Sequence, residues 1–176
     1  MFIAVKELEQ RKLTIAQRFV PGTIDYRTRD FRQVGVLATE AVAELEGREI
    51  HIAGCLETEV ELACARCLEP VAQQVHANFD LRYRPVASIT REEEINLMKE
   101  DTEIGFYTGD GLFLADVLAE QVHLALPMKS LCREDCQGFC PECGANLNLG
   151  SCRCRRTGVD PRLAPLAEWK RRRRNS

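Results

Sequence analysis

The cysteines constrain this sequence more than any other feature, because nine of them occur in 176 residues and most are clustered. Six lie in the segment 128–159, which has 32 residues, and only seven of its residues other than cysteine are apolar. So few apolar residues cannot form a hydrophobic core. A structural zinc site contributes about 10–16 kcal/mol to folding, which is as much as the whole stability of a typical domain. We therefore expect this segment to be ordered by metal.

The sequence Cys140-Pro141-Glu142-Cys143-Gly144 has the composition of a zinc knuckle. Two residues between the cysteines allow both sulfurs to reach one tetrahedral ion. The glycine permits the turn that directs backbone amides at the thiolates. The odd number of cysteines and the lack of a secretory signal in residues 1–12 indicate a reducing compartment, where clustered cysteines are more often metal ligands than disulfides. The alternative is a free dithiol in a loop.

A second CxxC pair, Cys64 and Cys67, lies between two predicted strands. Redox pairs of this kind usually lie at a helix N-terminus, which lowers the thiol pKa. Residues 71–83 instead alternate as a strand does. Metal binding is therefore favoured over redox use, with an unliganded pair as the other alternative.

Eight cysteines remain when Cys55, in the middle of a predicted strand, is set aside. Eight thiolates suit two closed four-cysteine zinc sites. The nearest-neighbour assignment gives one site made of Cys140, Cys143, Cys152 and Cys154, and another made of Cys64, Cys67, Cys132 and Cys136. Because a single residue separates Cys152 from Cys154, the alternative is that one of these two is a spare.

Apolar alternation predicts the sheet. Residues 49–62 alternate apolar and polar side chains, and residues 71–84 repeat the pattern. Residues 34–45 predict a preceding strand, and residues 1–8 and 13–20 predict two more. A period of two indicates a sheet with one solvated face. Consecutive strands with short connections favour an antiparallel meander or a barrel-like sheet.

Helical spacing of apolar residues predicts a helix over residues 114–125, and Asp160-Pro161 predicts the start of a final one. The predicted fold class is therefore α+β. Its parts are an antiparallel sheet plus helix in residues 1–127, a cysteine-rich zinc-binding segment in 128–159, and a short helix with a basic tail in 160–176. Residues near 88–110 are predicted to be an acidic linker, with a short helix near 91–100 as the alternative.

The charge distribution is strongly asymmetric. Residues 1–127 carry 13 Lys/Arg and 22 Asp/Glu, whereas residues 128–176 carry 11 and 5. A basic end on an acidic body suggests a nucleic acid or another anionic partner for that end. The candidate RNA-binding residues are Arg153, Arg155, Arg156, Lys170, Arg171, Arg172, Arg173 and Arg174. The alternative is that these cations are solvated, or that those near the cysteines offset the charge of about −2 on a four-thiolate zinc ion.

Several motifs resemble the YceD family of bacterial proteins. They are Cys64–Pro70 after two strands, Leu124–Lys129 at the end of a helix, Leu131–Asn148, and the ending Asp160–Leu163 with Leu166-Ala167. The similarity covers nearly the whole chain. It implies a role in the accumulation of large-subunit (23S) ribosomal RNA, through its synthesis, processing or stability.

We therefore predict a bacterial, cytoplasmic and non-enzymatic factor whose partner is large-subunit ribosomal RNA or a ribosomal protein. Zinc would fix a loop, and the basic end would engage phosphate or protein. No small-molecule substrate is expected. No membrane contact is expected either, since no apolar run approaches the ~20 residues of a membrane helix. The alternatives are a protein-interaction module without RNA contact, and a thiol enzyme that uses Cys64 and Cys67.

Overall fold

The computed structural model describes residues 1–86 and 104–154, together with Arg162, Pro165, Leu166 and Trp169. The chain divides into two compact units, Met1–Cys132 and Arg133–Ser176. The proposed helix near 91–100 lies outside the described residues, as do most of the predicted acidic linker and most of the predicted final helix.

Among the described residues, the helices and strands with defined bounds lie in the first unit. In chain order they are β1 (Phe2–Ala4), α1 (Val5–Leu8), β2 (Leu13–Phe19), β3 (Phe31–Gln33), β4 (Leu37–Glu46), β5 (Glu49–Ala63), β6 (Pro70–Pro85), β7 (Ile104–Tyr107), β8 (Gly111–Phe113) and α2 (Leu114–Ala125). Six strands form one sheet in the order β2-β4-β5-β6-β7, with β3 paired to β5. The α+β class and the strands near 13–20, 34–45 and 49–85 are confirmed.

The central hairpin of β5 and β6 organises this sheet. The two strands pair antiparallel from Ile50 opposite Tyr83 to Ala63 opposite Pro70. Their alternating apolar residues form one buried face, as the sequence predicts. The buried members are Ile50, Ile52, Leu56, Val60, Val75 and Phe79. Helix α2 packs on β6 and buries Leu114, Leu118 and Val122 completely, so the core lies between this face and α2.

The expectation of a wholly antiparallel sheet is wrong at one edge, because β7 pairs parallel to β6. Parallel neighbours need a connection of about a dozen residues or more. Residues 86–103 supply a connection longer than that minimum. The sequence could not show whether the four residues of β7 run parallel or antiparallel to β6. Apolar alternation is the same for a strand in either direction.

The expectation of one strand over residues 1–8 is also only partly right. Residues 2–4 form β1, which pairs antiparallel with β8 in a separate two-stranded ribbon. Val5–Leu8 form a helical turn instead. Leu8 is buried. Glu7 forms an ion pair with Arg11 at 2.7 Å, and such a pair four residues apart stabilises a helical turn.

Gly54 lies where the backbones of β4 and β5 leave no room for a side chain. A Cβ atom at this position would lie 2.3 Å from the backbone oxygen of Glu40 and 2.6 Å from the Cα of Ala41. The side chain of any other residue therefore forces the two strands apart. We expect Gly54→Ala to lower the free energy of unfolding by about 1–3 kcal/mol, as overpacked core positions do. Urea unfolding measures this; a loss below about 0.5 kcal/mol, the level of ordinary surface changes, would contradict it.

Candidate metal centre

The loop between β5 and β6 holds the first pair of thiols. Its ends are fixed by the last rung of the hairpin, Ala63 opposite Pro70. Within the loop, Cys64 N–H donates to the Glu69 carbonyl at 2.8 Å and Leu68 N–H donates to the Cys64 carbonyl at 2.9 Å. Leu68 takes a left-handed φ of 58°, which closes the turn. The predicted hairpin position of this CxxC pair is thus confirmed, and both Cys64 and Cys67 are buried.

Cys132 joins this pair inside the first unit. Its Sγ lies 3.6 Å from the Sγ of Cys67, and its backbone N–H donates to the Sγ of Cys64 at 3.4 Å. A further backbone bond, from Ala65 N–H to the Ser130 carbonyl at 2.8 Å, holds the segment in place. Two thiolates on one tetrahedral zinc ion lie about 3.8 Å apart, given a Zn–S bond of about 2.3 Å. The spacing of Cys67 and Cys132 fits that value.

The pKa of Cys64 is lowered to about 6, chiefly because the backbone N–H groups of Arg66 and Cys132 donate to its sulfur. Hydrogen bonds to the charged form favour it. The lowered pKa favours the thiolate of Cys64, which is the form that binds metal.

Cys136, the fourth predicted member of this set, lies four residues beyond Cys132 and belongs to the second unit. It is buried, and its Sγ accepts a hydrogen bond from the side-chain amide of Asn148 at 3.3 Å. Four residues of chain span at most about 14 Å, so chain length permits it to reach an ion held by Cys132. Its role as the fourth ligand stays a prediction.

The second unit brings four thiols together. The Sγ atoms of Cys140, Cys143, Cys152 and Cys154 all lie within 4.8 Å of one another. This is the set that sequence proximity predicted. Both Cys152 and Cys154 take part, although only Arg153 separates them. The chemistry of four thiols in one cluster fits a closed zinc site.

A small hairpin-like turn presents the Cys140 and Cys143 thiols. Phe139 and Asn146 form an antiparallel bridge, and Cys140 N–H donates to the Ala145 carbonyl at 2.8 Å. Gly144 has a φ of 70°, a conformation that side chains disfavour. The predicted function of this glycine, to allow the turn, is confirmed.

Backbone amides lower the pKa of one thiol in this cluster, and a neighbouring thiol raises the pKa of another. The N–H groups of Cys143 and Glu142 point at Cys140 and lower its pKa to about 6. The pKa of Cys154 is raised to about 12, chiefly because its thiol is hydrogen-bonded to Cys143. Four sulfurs this close repel one another when ionised, which is the arrangement that a bound divalent cation neutralises. These residues therefore fit a metal ion by number, type and spacing.

Asn148 supports the cysteine segment in a way that the sequence analysis missed. Besides its bond to Cys136, its side-chain oxygen accepts hydrogen bonds from Gln137 N–H and from Arg133, both at 2.8 Å. Such outer contacts orient metal ligands. The Asn-Leu-Asn sequence at 146–148 did not identify this contact, because asparagine is common in turns for other reasons.

The predicted RNA-binding residues fall mostly outside the described part of the chain. Arg153 is described and exposed, between two of the clustered thiols. Arg155, Arg156 and the run Lys170–Arg174 lie beyond it. Their proposed contact with RNA stays a prediction.

One further cluster lies on the polar face of the sheet. Ligand atoms of Glu44, Glu46 and His51 lie within 4.8 Å of one another. Glu44 is already paired with Lys12, and Glu46 with Arg82 at 2.6 Å. Since both carboxylates have cationic partners, this cluster is a network of surface charges.

The fold and the thiols together define a cysteine-rich α+β protein whose cysteine clusters can hold metal. The family described as large ribosomal RNA subunit accumulation protein YceD matches residues 52–170. The chain belongs to this family, and the resemblance stated from the motifs is confirmed.

Curated relatives agree with this assignment. A maize protein named large ribosomal RNA subunit accumulation protein YCED homolog 1, chloroplastic, is 30% identical over 82% of this chain and 56% of its own length. The Arabidopsis thaliana protein of the same name is 24% identical over 70% of this chain and 45% of its own. An uncharacterised protein of Mycobacterium tuberculosis is 31% identical over 75% of this chain and 59% of its own. The chain thus spans about half the length of these relatives. No solved structure matches it.

The helices of the described residues are too short or too polar to cross a membrane.

We expect the purified protein to contain between one and two zinc ions per chain, because the thiol clusters of both units suit closed sites. Elemental analysis of protein prepared without added metal measures this. Cys55 is exposed in β5 and belongs to neither cluster, so Cys55→Ser should retain the full content. Less than half an equivalent of any transition metal, with freely titratable thiols, would contradict the expectation.

Proposed function

We propose that this protein supports the accumulation of large-subunit ribosomal RNA as a non-enzymatic docking factor whose C-terminal segment is ordered by zinc. The observation that carries the proposal is the extent of the chain that the family matches. Residues 52–170 include all eight cysteines of the two predicted sites. The relatives whose printed names state this role come from plants, and the bacterial, cytoplasmic setting is part of the proposal.

The proposed mechanism begins with the zinc-ordered loops. A metal ion holding Cys140 and its partners fixes a surface on which Phe139 is half exposed and Leu149 is 86% exposed. Exposed apolar side chains on an otherwise polar loop suit contact with a macromolecule. The basic end then engages phosphate groups of the RNA, or a ribosomal protein partner.

A thiol enzyme is the less supported alternative. A redox CxxC pair must be reachable by its substrate, whereas Cys64 is 0% and Cys67 is 2% exposed. The pair lies in a strand-to-strand loop rather than at a helix N-terminus. Its lowered thiol pKa is equally suited to holding metal.

Depletion of the protein in its own organism tests the proposal. We expect the ratio of 23S to 16S ribosomal RNA to fall, and the wild-type gene to restore it. The double variant Cys140→Ser/Cys143→Ser should fail to restore the ratio, whereas the matched control Cys55→Ser should succeed. An unchanged ratio on depletion would overturn the proposal.

A protein-interaction module without RNA contact is the second candidate, and the acidic charge of the first 127 residues favours it. Such a surface repels phosphate. Crosslinking of the protein to RNA in living cells separates the two. Crosslinked RNA enriched in 23S sequence supports direct contact, and its absence with a reduced 23S ratio supports the module.

A further inference from the structure

An open groove in the first unit is walled by aromatic side chains from distant parts of the chain. It has a volume of about 330 Å³. Its walls include Phe2 on β1, Tyr83 on β6, Phe106 on β7, Phe113 on β8, and Asp116 and Glu120 on α2. These six residues define the aromatic groove.

The groove is held in shape by backbone contacts. Phe2 and Phe113 are opposite each other in the β1–β8 ribbon, with ring centroids 4.9 Å apart. The ring of Tyr83 lies over Gly105, where a Cβ atom would come within 2.6 Å of it. The pairing of β1 with β8 continues by one further bond, from Val5 N–H to the Asp110 carbonyl at 2.8 Å. A preformed site loses little freedom on binding.

Three phenylalanines of this groove remain in contact with water. Phe2 is 42%, Phe106 is 51% and Phe113 is 57% exposed. An exposed phenylalanine forgoes most of the stabilisation that its burial would give. Several of them grouped in one concave surface mark an interaction site rather than chance exposure.

The charges around the groove select the kind of partner. Of its described lining residues, two are carboxylates and none is Lys or Arg. Asp116 already pairs with the exposed Arg27 at 3.2 Å. Glu120 has no ion pair among the described residues, and it lies near enough to Tyr83 to add to the effect of burial in raising the pKa of that phenol. The groove thus offers aromatic faces beside an uncompensated negative charge.

We propose that the aromatic groove binds an arginine- or lysine-rich segment of a partner protein. A guanidinium or ammonium group is attracted to the face of an aromatic ring, and Glu120 supplies a carboxylate beside it. The inference deepens the proposed function and rests on it, since it identifies the partner of the acidic unit as a basic protein of the large subunit. Exposed rings also stack on unpaired bases, but the carboxylates repel the phosphates that such a strand brings.

Calorimetric titration with a model peptide tests the proposal on the full-length protein. The probe is a blocked peptide of five arginines alternating with four alanines, and its counterpart has glutamate in place of arginine. We expect the arginine peptide alone to bind. Phe106→Ala and Phe113→Ala should each weaken binding by about 2- to 30-fold, the range of a cation–π contact. Both rings are largely exposed, so neither change should impair folding.

Charge variants show whether binding is specific to the groove. Glu120→Gln should weaken binding by about 2- to 5-fold, as loss of an exposed ion pair does. Glu57→Gln, whose side chain is 66% exposed on the polar face of the sheet, removes the same charge elsewhere and should have no effect. Equal losses from both variants, or full binding by the phenylalanine variants, would overturn the proposal.

Amide chemical shifts locate the bound peptide. We expect changes in Ile104–Tyr107 and Gly111–Phe113. The same changes caused by a ten-nucleotide uridine strand would overturn the proposal in favour of base stacking. Peptide binding that arises only after removal of residues 170–176 would also overturn it, because the chain's own basic end would then be the occupant.

The depletion experiment, repeated with a variant of the groove, tests this inference independently of the proposed function. If Phe106→Ala/Phe113→Ala fully restores the 23S ratio, the groove proposal fails while the function stands. If depletion leaves the ratio unchanged, the function fails whatever the peptide does.

Discussion

Replacing Cys143 with serine is expected to abolish amide protection in residues 133–154 while leaving the sheet of the first unit protected. A serine hydroxyl is a poor zinc ligand, so the cluster of Cys140, Cys152 and Cys154 loses its ion. The metal supplies about 10–16 kcal/mol in sites of this kind, and the segment has too few apolar residues to replace that contribution. The strands of the first unit have their own core, which includes Ile50, Ile52 and Leu118, and should stay folded.

Native-state hydrogen exchange measures this outcome by segment. Cys55→Ser is the matched control and should exchange like the wild type throughout. Treatment with a zinc chelator should reproduce the pattern of Cys143→Ser in residues 133–154. Uniform loss of protection across β4, β5 and β6 would show that the fold of the sheet also depends on this site. Unchanged protection in residues 133–154 would show that the segment is ordered without metal.

The sequence predicts best where one local rule dominates. In β5 and β6, strict alternation assigns each side chain to a face, and Ile52 and Val75 are buried as expected. In α2, helical spacing and the following Pro127 define the helix almost to the residue. The cysteine group of the second unit follows from proximity in sequence alone, since all four members lie within 15 residues.

The features that the sequence did not reveal depend on contacts between distant segments. The parallel pairing of β7 to β6 is such a case, because the residues of a short strand do not predict whether it pairs parallel or antiparallel. The turn at Val5–Leu8 is another, since a few apolar residues fit a strand and a helix equally well. The aromatic groove combines residues from positions 2, 83, 106 and 113, and no local pattern relates them.

The formal charge differs in sign between the two ends of this chain. The body of residues 1–127 is acidic, and residues 128–176 are basic. We expect the acidic body to weaken indiscriminate binding to RNA, since it repels phosphate. We therefore expect contact with RNA to come from the basic end, which is the part to remove in a binding experiment.

Deletion of residues 170–176 is expected to lower affinity for RNA at 0.1 M salt by roughly 3 × 10³- to 3 × 10⁴-fold, the change that loss of five phosphate contacts gives relative to 1 M salt, and equally for all RNA sequences. The deleted run Lys170–Arg174 contains five consecutive cations. Each neutralised phosphate releases counterions, so five contacts give a slope of log affinity against log salt of roughly −3.5 to −4.5. Phosphate contacts carry no base information, so specificity should not change.

Fluorescence anisotropy measures the affinity between about 0.05 and 0.5 M salt and so tests the slope directly. Over this range counterion release changes the affinity by orders of magnitude. A variant of unchanged length, with Lys170–Arg174 replaced by glutamine, should lose the slope as the deletion does. Trp169 is 58% exposed beside this run, and Trp169→Ala should reduce affinity by about 1–3 kcal/mol if it stacks on a base, without altering the slope. Affinity and slope that survive the loss of all five cations would show that the basic end does not bind RNA. The zinc-ordered segment and the acidic sheet would then act through a protein partner.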